Sequence, residues 1–144
     1  MESLHYMIMA NQLLVQKALM EILKESGLTI GQPKILDYLK NHDGSNQKEI
    51  AKACFIEPGS LTAILNKMEE KNLIVRKMLN GNRRSYHVFL TDLGKEKQKM
   101  VEIAFCKIEE QMTYNLSKEE LDSFYLANKK MYENLKNREE EIHG

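Results

Sequence analysis

The sequence lacks the features that would indicate a secreted or membrane-embedded protein. Its 144 residues contain only two cysteines, Cys54 and Cys106, which lie far apart and form no CxxC pair. We therefore expect free thiols in a reducing cytoplasm and not a disulfide framework. No apolar run approaches the roughly 18 residues that would suggest a membrane span, and the acidic Glu2 near the start argues against a signal peptide.

The side chains that carry metal or catalytic chemistry do not cluster. The four histidines are scattered, with no HxxxH or Cys–His spacing, so we expect no metal site. The sequence also contains no recognisable Ser–His–Asp arrangement and no phosphate-binding glycine loop. We therefore expect a protein that is not an enzyme and needs no cofactor.

The chain also lacks a net excess of positive or negative charge, but its charged residues are unevenly distributed. The chain has 21 basic and 21 acidic residues, yet residues 57–95 contain seven Lys and Arg against four acids. A local surplus is a better guide to a polyanionic partner than the sum over the chain. A run of charge can equally be a solvated face, so the basic middle only makes nucleic acid a candidate partner.

Proline and glycine are scarce, with two and seven residues, which favours helices joined by short connections. Apolar spacing predicts a first helix over residues 3–26. Capping patterns predict further helix starts at Thr29, Asn46, Glu57, Thr91 and Ser117. The helix after Thr91 carries apolar residues on one side: Met100, Ile103, Ala104, Ile108 and Met112.

Two β-prone runs, residues 73–79 and 85–90, flank the turn sequence Asn80-Gly81-Asn82. Asn-Gly tolerates the positive φ that a tight reverse turn needs, so this stretch predicts a β-hairpin. Arg83 and Arg84 follow the turn directly. A guanidinium on a narrow hairpin can reach into a minor groove, although charge that protects an edge strand is the alternative for either arginine.

The helix after Glu57 has the pattern of a DNA-recognition helix. Helical spacing directs Leu61, Ile64, Leu65 and Met68 to the core. The other face then carries small or hydrogen-bonding residues, which suit entry into a major groove: Gly59, Ser60, Thr62, Ala63, Asn66 and Lys67. With the short helix before it and the hairpin after it, this predicts a winged helix-turn-helix. A generic amphipathic helix is the alternative.

Four short motifs occur in order along the chain: Leu28-Thr29-x-x-Gln32, Glu49-Ile50-Ala51, Met68-Glu69-x-Lys71-Asn72-Leu73-Ile74 and Asn82-x-Arg84-x-x-x-Val88-x-Leu90-Thr91-x-x-Gly94. In this order and spacing they resemble the MarR family of bacterial winged-helix transcription regulators. Two positions depart from the family pattern. Asn82 replaces the usual wing aspartate, which leaves at best a neutral hydrogen bond to Arg84. Asn72 replaces a glycine but still tolerates the left-handed conformation.

The predicted fold class is mainly α with a small β-hairpin. We expect a winged helix-turn-helix lobe at 29–95, between a dimerisation helix at 1–28 and C-terminal helices at 96–144 that complete the dimerisation region. The resemblance implies a homodimeric regulator, expected to be a repressor, that binds a pseudo-palindromic site on double-stranded DNA. It also implies that Arg84 enters the minor groove and that Gln47 and Lys48 lie near the DNA backbone.

The flanking helices carry more apolar surface than one small domain can cover, which independently favours a dimer. Packing within one subunit is the alternative for each interface candidate: Tyr6, Leu121, Phe124, Tyr125 and Met131.

Three further possibilities stay open at the level of sequence. A small apolar or aromatic anion could act as an effector where the dimer helices meet the DNA lobe. The fold could dock protein partners and never touch DNA. A thiol of Cys54 or Cys106 could act as a redox switch, although we expect both side chains to be buried and structural.

Overall fold

The computed structural model describes residues 1–79 and 85–143. The elements follow in the order α1 (Leu4–Ile22), α2 (Gln32–Leu39), α3 (Gln47–Cys54), α4 (Pro58–Glu70), β1 (Ile74–Met78), β2 (Tyr86–Leu90), α5 (Asp92–Met112) and α6 (Lys118–His143). The mainly α fold class with one small hairpin is thereby confirmed. Of the described helices, none has the length and apolar character needed to cross a membrane. The chain divides into two compact units, the first unit at 1–108 and the second unit at 109–144.

Two helix starts are fixed by reciprocal capping contacts, as the sequence predicts. The Asn46 Oδ1 accepts from the Glu49 backbone N–H at 2.8 Å, and the Asn46 amide donates back to Glu49 Oε1 at 3.0 Å. Ser117 Oγ accepts from the Glu120 N–H at 3.1 Å, while Glu120 Oε1 accepts from the Ser117 N–H at 3.0 Å. The Ser117 box satisfies two backbone N–H groups that a helix start would otherwise leave unpaired, and the Asn46 cap satisfies one, because its second bond joins two side chains.

The predicted start of α2 at Thr29 was wrong by two residues. The N-cap is Gly31, which has φ of 92° and makes no side-chain cap, and Pro33 occupies the first turn. Only one half of the expected box forms, with Gln32 Oε1 accepting from the Thr29 N–H at 3.0 Å. The left-handed bend at Gly31 delays the helix, and a Cβ added there would lie 2.8 Å from the Ile64 side chain.

The first helix ends at Ile22, before the predicted residue 26. Ser26 is responsible, because its buried hydroxyl donates to the Leu23 carbonyl and accepts from the Leu28 N–H. These two bonds stabilise a turn in place of a further helical turn.

The hairpin strands pair antiparallel from Ile74 opposite Leu90 to Met78 opposite Tyr86. The second edge of β2 pairs with the segment before α3, since the Val88 N–H donates to the Ser45 carbonyl at 2.9 Å and the Gly44 N–H donates to the Val88 carbonyl at 2.8 Å. The strand β2 is therefore held between β1 and the segment that leads into α3. The predicted Asn80-Gly81-Asn82 turn lies outside the described residues.

The core belongs to the first unit and combines side chains from α1 to α5 and from both strands. Its fully buried members include Ile35, Leu36, Leu39, Ile50, Leu61, Leu65, Met68, Ile74, Val88 and Val101. On α5 the inward face is Gly94, Gln98, Val101, Ala104 and Ile108. Five apolar residues were predicted to lie on one side of this helix. Of these, only Ala104 and Ile108 are buried, whereas Met100, Ile103 and Met112 are exposed.

The two cysteines have different environments. Cys54 is buried as expected, and burial raises the pKa of its thiol. Cys106 is exposed, so the prediction of a buried side chain was wrong. The inward face of α5 passes through Ala104 and Ile108, and Cys106 lies between them on the other side of the helix.

The second unit contains the whole of α6, a helix of 26 residues of which none is buried. Its exposed large apolar side chains are Leu121, Phe124, Tyr125, Leu126, Tyr132, Leu135 and Ile142. In the described part of the chain, these apolar side chains stay exposed.

Candidate nucleic-acid interface

A three-residue turn joins α3 to α4 and sets the geometry of the helix-turn-helix. Helix α3 ends at Cys54 and is capped by Phe55, whose φ of 54° is left-handed and whose N–H donates to the Ala51 carbonyl. Glu57 is the extended N-cap of α4, and Pro58 occupies its first position, as predicted. The two helices are anchored below this turn by buried Ile50 and Leu61, so the outer face of α4 has a fixed orientation.

Helix α4 presents the predicted small and polar face. Leu61, Leu65 and Met68 are buried and Ile64 is half-buried. The side chains on the other face are all exposed: Gly59, Ser60, Thr62, Ala63, Asn66 and Lys67. The space around Gly59 is open, since nothing lies within 4 Å of a Cβ added there. The start of this helix can therefore approach another macromolecule closely.

Two of these exposed side chains already have hydrogen-bond partners. Thr62 Oγ1 donates to the Pro58 carbonyl at 3.1 Å, which leaves its methyl group and an acceptor lone pair for other contacts. Asn66 Oδ1 accepts from Arg76 Nη2 on β1 at 2.7 Å. The orientation of the Asn66 amide is thus set by a residue of the hairpin.

Arg76 is in turn held by Glu69. Its Nε lies 3.2 Å from Glu69 Oε2, and its Nη2 lies 3.3 Å from Glu69 Oε1. The hydrogen bonds from Arg76 lower the pKa of the Glu69 carboxyl. From the sequence, Arg76 was predicted only to contribute to the basic surplus of residues 57–95. The sequence does show that Arg76 lies on the strand that follows Glu69. It does not show that the two side chains pair, because that depends on how β1 folds back on α4.

The first turn of α3 contributes further polar groups. Gln47 is half-buried and Lys48 is exposed. Both line an open groove of about 460 Å³ between α3 and α4, together with Ala51, Lys52, Ile56, Pro58, Leu61 and Thr62. The structure therefore brings the predicted backbone-contacting residues beside Thr62, together with Lys52, which was not among the predicted site residues. Lys52 lies four residues after Lys48, so helical spacing could have placed both lysines on the same face of α3.

The base of the wing is well anchored. His87 Nδ1 lies 2.7 Å from the Gly44 carbonyl, and the Leu90 N–H donates to Asp43 Oδ1 at 2.8 Å. Lys77 Nζ lies 5.2 Å from the centre of the Phe89 ring, in cation–π geometry. Arg83 and Arg84, the predicted minor-groove residues, lie outside the described residues.

The predicted dimer residues are available at the surface of the single chain. Tyr6 on α1 is exposed, as are Leu121, Phe124 and Tyr125 on α6, while Met131 is half-buried. The alternative of core packing would require these side chains to be buried within the chain, and none of the five is buried. In the described part of the chain, no group of three His, Cys, Asp or Glu side chains could hold a metal ion.

Comparison with known proteins adds a family match. Residues 28–86 match the model of the MarR family. The HTH-type transcriptional regulator SarZ of Staphylococcus epidermidis is 31% identical over 81 residues, which are 56% of this chain and 55% of the relative. The HTH-type transcriptional repressor MdtR of Bacillus subtilis is 32% identical over 80 residues, 56% of this chain and 52% of the relative. The matched region thus spans about half the length of these curated relatives.

Solved structures share the fold over nearly the whole chain. The MepR–DNA complex of S. aureus matches with a TM-score of 0.86 and 24% identity, covering 94% of this chain and 99% of that chain. The transcriptional repressor CouR bound to a 23-mer DNA duplex matches with a TM-score of 0.80 and 26% identity, covering 90% and 92%. The described arrangement of helices and hairpin is therefore that of the MarR winged-helix structures.

Proposed function

Because the chain belongs to the MarR family through residues 28–86, we propose that it is a sequence-specific regulator of transcription that binds double-stranded DNA as a homodimer. One observation carries the proposal: the exposed face of α4 consists of small and hydrogen-bonding side chains over a buried apolar face. Such a helix fits the width of a major groove and can reach base edges. A face designed only for solvent would more often carry glutamate and lysine.

Positively charged side chains support contact with the DNA backbone. Lys48 and Lys52 line the groove between α3 and α4, and Lys67 is exposed on α4 itself. Lysines that neutralise phosphates release counterions, so binding should weaken steeply as salt rises. We include Arg84 in the minor groove as part of the same proposal, on the family resemblance alone.

The uncovered apolar surface of α6 supports the homodimer. A helix of 26 residues without a buried side chain gains little stability by itself, because most helical stability in proteins comes from packing of an apolar face. A second copy of the chain would cover such a face and set two copies of α4 about one helical turn of DNA apart. Repression is proposed because MdtR and CouR, both similar to this chain, are named repressors.

The proposal is tested by anisotropy titration of labelled duplex DNA at two salt concentrations. Wild type should bind, with weaker binding at the higher salt. Lys67→Gln should weaken binding about equally for all sequences and reduce the salt slope by about 1. Arg84→Ala should weaken binding without a change in thermal unfolding. Lys129→Gln, which removes one charge from α6, is the matched control and should bind as wild type does.

The opposite results are equally clear. Salt-independent anisotropy, or no binding by wild type, would overturn the DNA-binding proposal and favour the protein-docking alternative. In that case exposed Phe55 at the helix-turn-helix turn would be the first side chain to test as a protein-contacting anchor, because buried aromatic anchors dominate such interfaces.

A further inference from the structure

We propose that Arg76, braced by Glu69, is a positioning residue that orients the Asn66 amide so that Asn66 presents hydrogen-bond donors to DNA and reads guanine. The inference rests on the proposed function, since it concerns how α4 would read sequence. It goes further by naming the base that Asn66 selects and a residue outside the recognition helix that determines this choice.

The orientation of Asn66 follows from the chemistry of its partner. A guanidinium has five N–H donors and no acceptor. The Asn66 atom that lies 2.7 Å from Arg76 Nη2 must therefore be the carbonyl oxygen Oδ1. The Nδ2 amino group, with its two donors, lies on the other side of the same planar amide. Those donors therefore lie on the side of the amide that Arg76 does not occupy, on a residue that is exposed and open to a bound macromolecule.

Arg76 can hold this orientation because it is itself held. Its Nε and Nη2 both bond the Glu69 carboxylate, at 3.2 and 3.3 Å. The Arg76 side chain is 18% exposed, compared with 43% for Glu69. It extends from β1, where Arg76 pairs with buried Val88, so its backbone is fixed as well. A guanidinium suits this place because its rigid fork bonds two partners at once, which an ammonium group does not do in a fixed geometry.

The choice of base follows from which atoms of the amide remain free. Pairing of asparagine with adenine uses both ends of the amide, since Oδ1 accepts from adenine N6 while Nδ2 donates to N7. Here Oδ1 is bonded to a cation that repels a second approaching donor. Guanine presents two acceptors in the major groove, O6 and N7. An amide that offers only donors therefore favours guanine over adenine.

The test is selection of bound duplexes from a randomised library, followed by affinity measurements on single-base variants of the selected site. With wild type, we expect guanine to be preferred over adenine by about tenfold at one base pair in each half-site. Asn66→Ala should remove the preference at that base pair and at no other. Arg76→Met should bring the ratio of guanine to adenine affinity close to one, because the freed amide can then turn either end outward.

A second variant tests the same inference in case Arg76→Met does not fold. Glu69→Gln changes an exposed side chain and should reduce the same ratio by about threefold, since it weakens but does not remove the brace. Arg76→Lys should restore part of the preference through a single donor to Oδ1. Lys77→Met removes a positive charge from the same strand without touching Asn66, so it should leave the base ratio unchanged whatever it does to affinity.

Several results would overturn the inference. One is a preference of wild type for adenine at the Asn66-dependent base pair. Another is an unchanged base ratio in folded Arg76→Met and Glu69→Gln, or a uniform loss of affinity in both, which would make Arg76 a phosphate contact. If Asn66→Ala alters no base pair, the inference fails while the proposed function stands. If wild type binds no duplex, the proposed function itself fails.

Discussion

The first and second units make opposite use of their apolar side chains. In the first unit, leucines of α2 and α4 such as Leu36 and Leu65 are completely buried. In the second unit, α6 has no buried residue, and even its large apolar side chains Phe124 and Leu135 are more than half exposed. A core that closes within one chain can hold its shape alone, whereas apolar surface without cover marks an interaction site.

Helix α1 shows that this contrast does not follow the boundary between the units. Its last turns reach the core through Leu19, the only buried residue of the helix. Its first turns instead expose Leu4, Met7 and Ile8. One helix thus serves the core at one end and carries uncovered apolar surface at the other. The contrast is therefore between surface covered by the chain itself and surface that a second copy would cover.

The largest expected effect comes from placing a charge on the uncovered surface of α6. Phe124→Glu removes one phenylalanine from each copy of the proposed dimer, and burial of each ring contributes about 1.5–3 kcal/mol. We expect the dimer to weaken by at least 100-fold, as measured by sedimentation velocity, while the first unit keeps its fold. Asn137→Glu adds the same charge to α6 at a polar position and should sediment as wild type does. Unchanged sedimentation of Phe124→Glu would leave the surface of α6 without the proposed partner.

A smaller effect is expected from a glycine in the first unit. A Cβ added at Gly94 would lie 2.0 Å from the Leu73 carbonyl oxygen, and that oxygen is fixed by the Thr91 N–H at 3.1 Å. Gly94→Ala should therefore lower the free energy of unfolding by about 1–3 kcal/mol, as measured by urea titration. Gly59→Ala is the matched control, because it meets open space and replaces glycine in a helix, where alanine is favoured. Equal stability of the two variants would contradict the packing described for Gly94.

Two helix caps that nearby residues determine could be predicted from the sequence, although the local prediction at Thr29 was wrong, and features that depend on distant residues could not be predicted. The caps at Asn46 and Ser117 each depend on an acid three residues later, so their pattern is visible in the chain. The exposure of Cys106 depends instead on which face of α5 meets the core. Apolar residues occur on more than one face of that helix, and helical spacing alone does not choose between them.

The same distinction holds for the candidate site. Helical spacing was enough to predict that Thr62 and Asn66 lie on the exposed face of α4. It could not show that Asn66 Oδ1 is already bonded, because its partner Arg76 lies ten residues later and on a different element. The predicted roles of Arg83 and Arg84 stay predictions, since both lie outside the described residues.

The smallest expected effect concerns the Arg76–Glu69 pair and its dependence on pH. The pKa of Glu69 is lowered by the hydrogen bonds from Arg76, so the folded state favours the ionised carboxylate. This contribution is fully present above the ordinary glutamate pKa of 4.5 and is lost as pH falls through the lower folded value. Because the pair is partly exposed and screened by solvent, we expect it to contribute less than about 1 kcal/mol to the free energy of unfolding at pH 7. In urea titrations Glu69→Gln should be slightly less stable than wild type at pH 7, and the difference should shrink below pH 4. The adjacent variant Glu70→Gln controls for loss of a negative charge on the same helical turn. A difference between wild type and Glu69→Gln that stayed constant with pH would show that the carboxylate does not stabilise this fold through Arg76, and the brace on Asn66 would lose its support in the first unit.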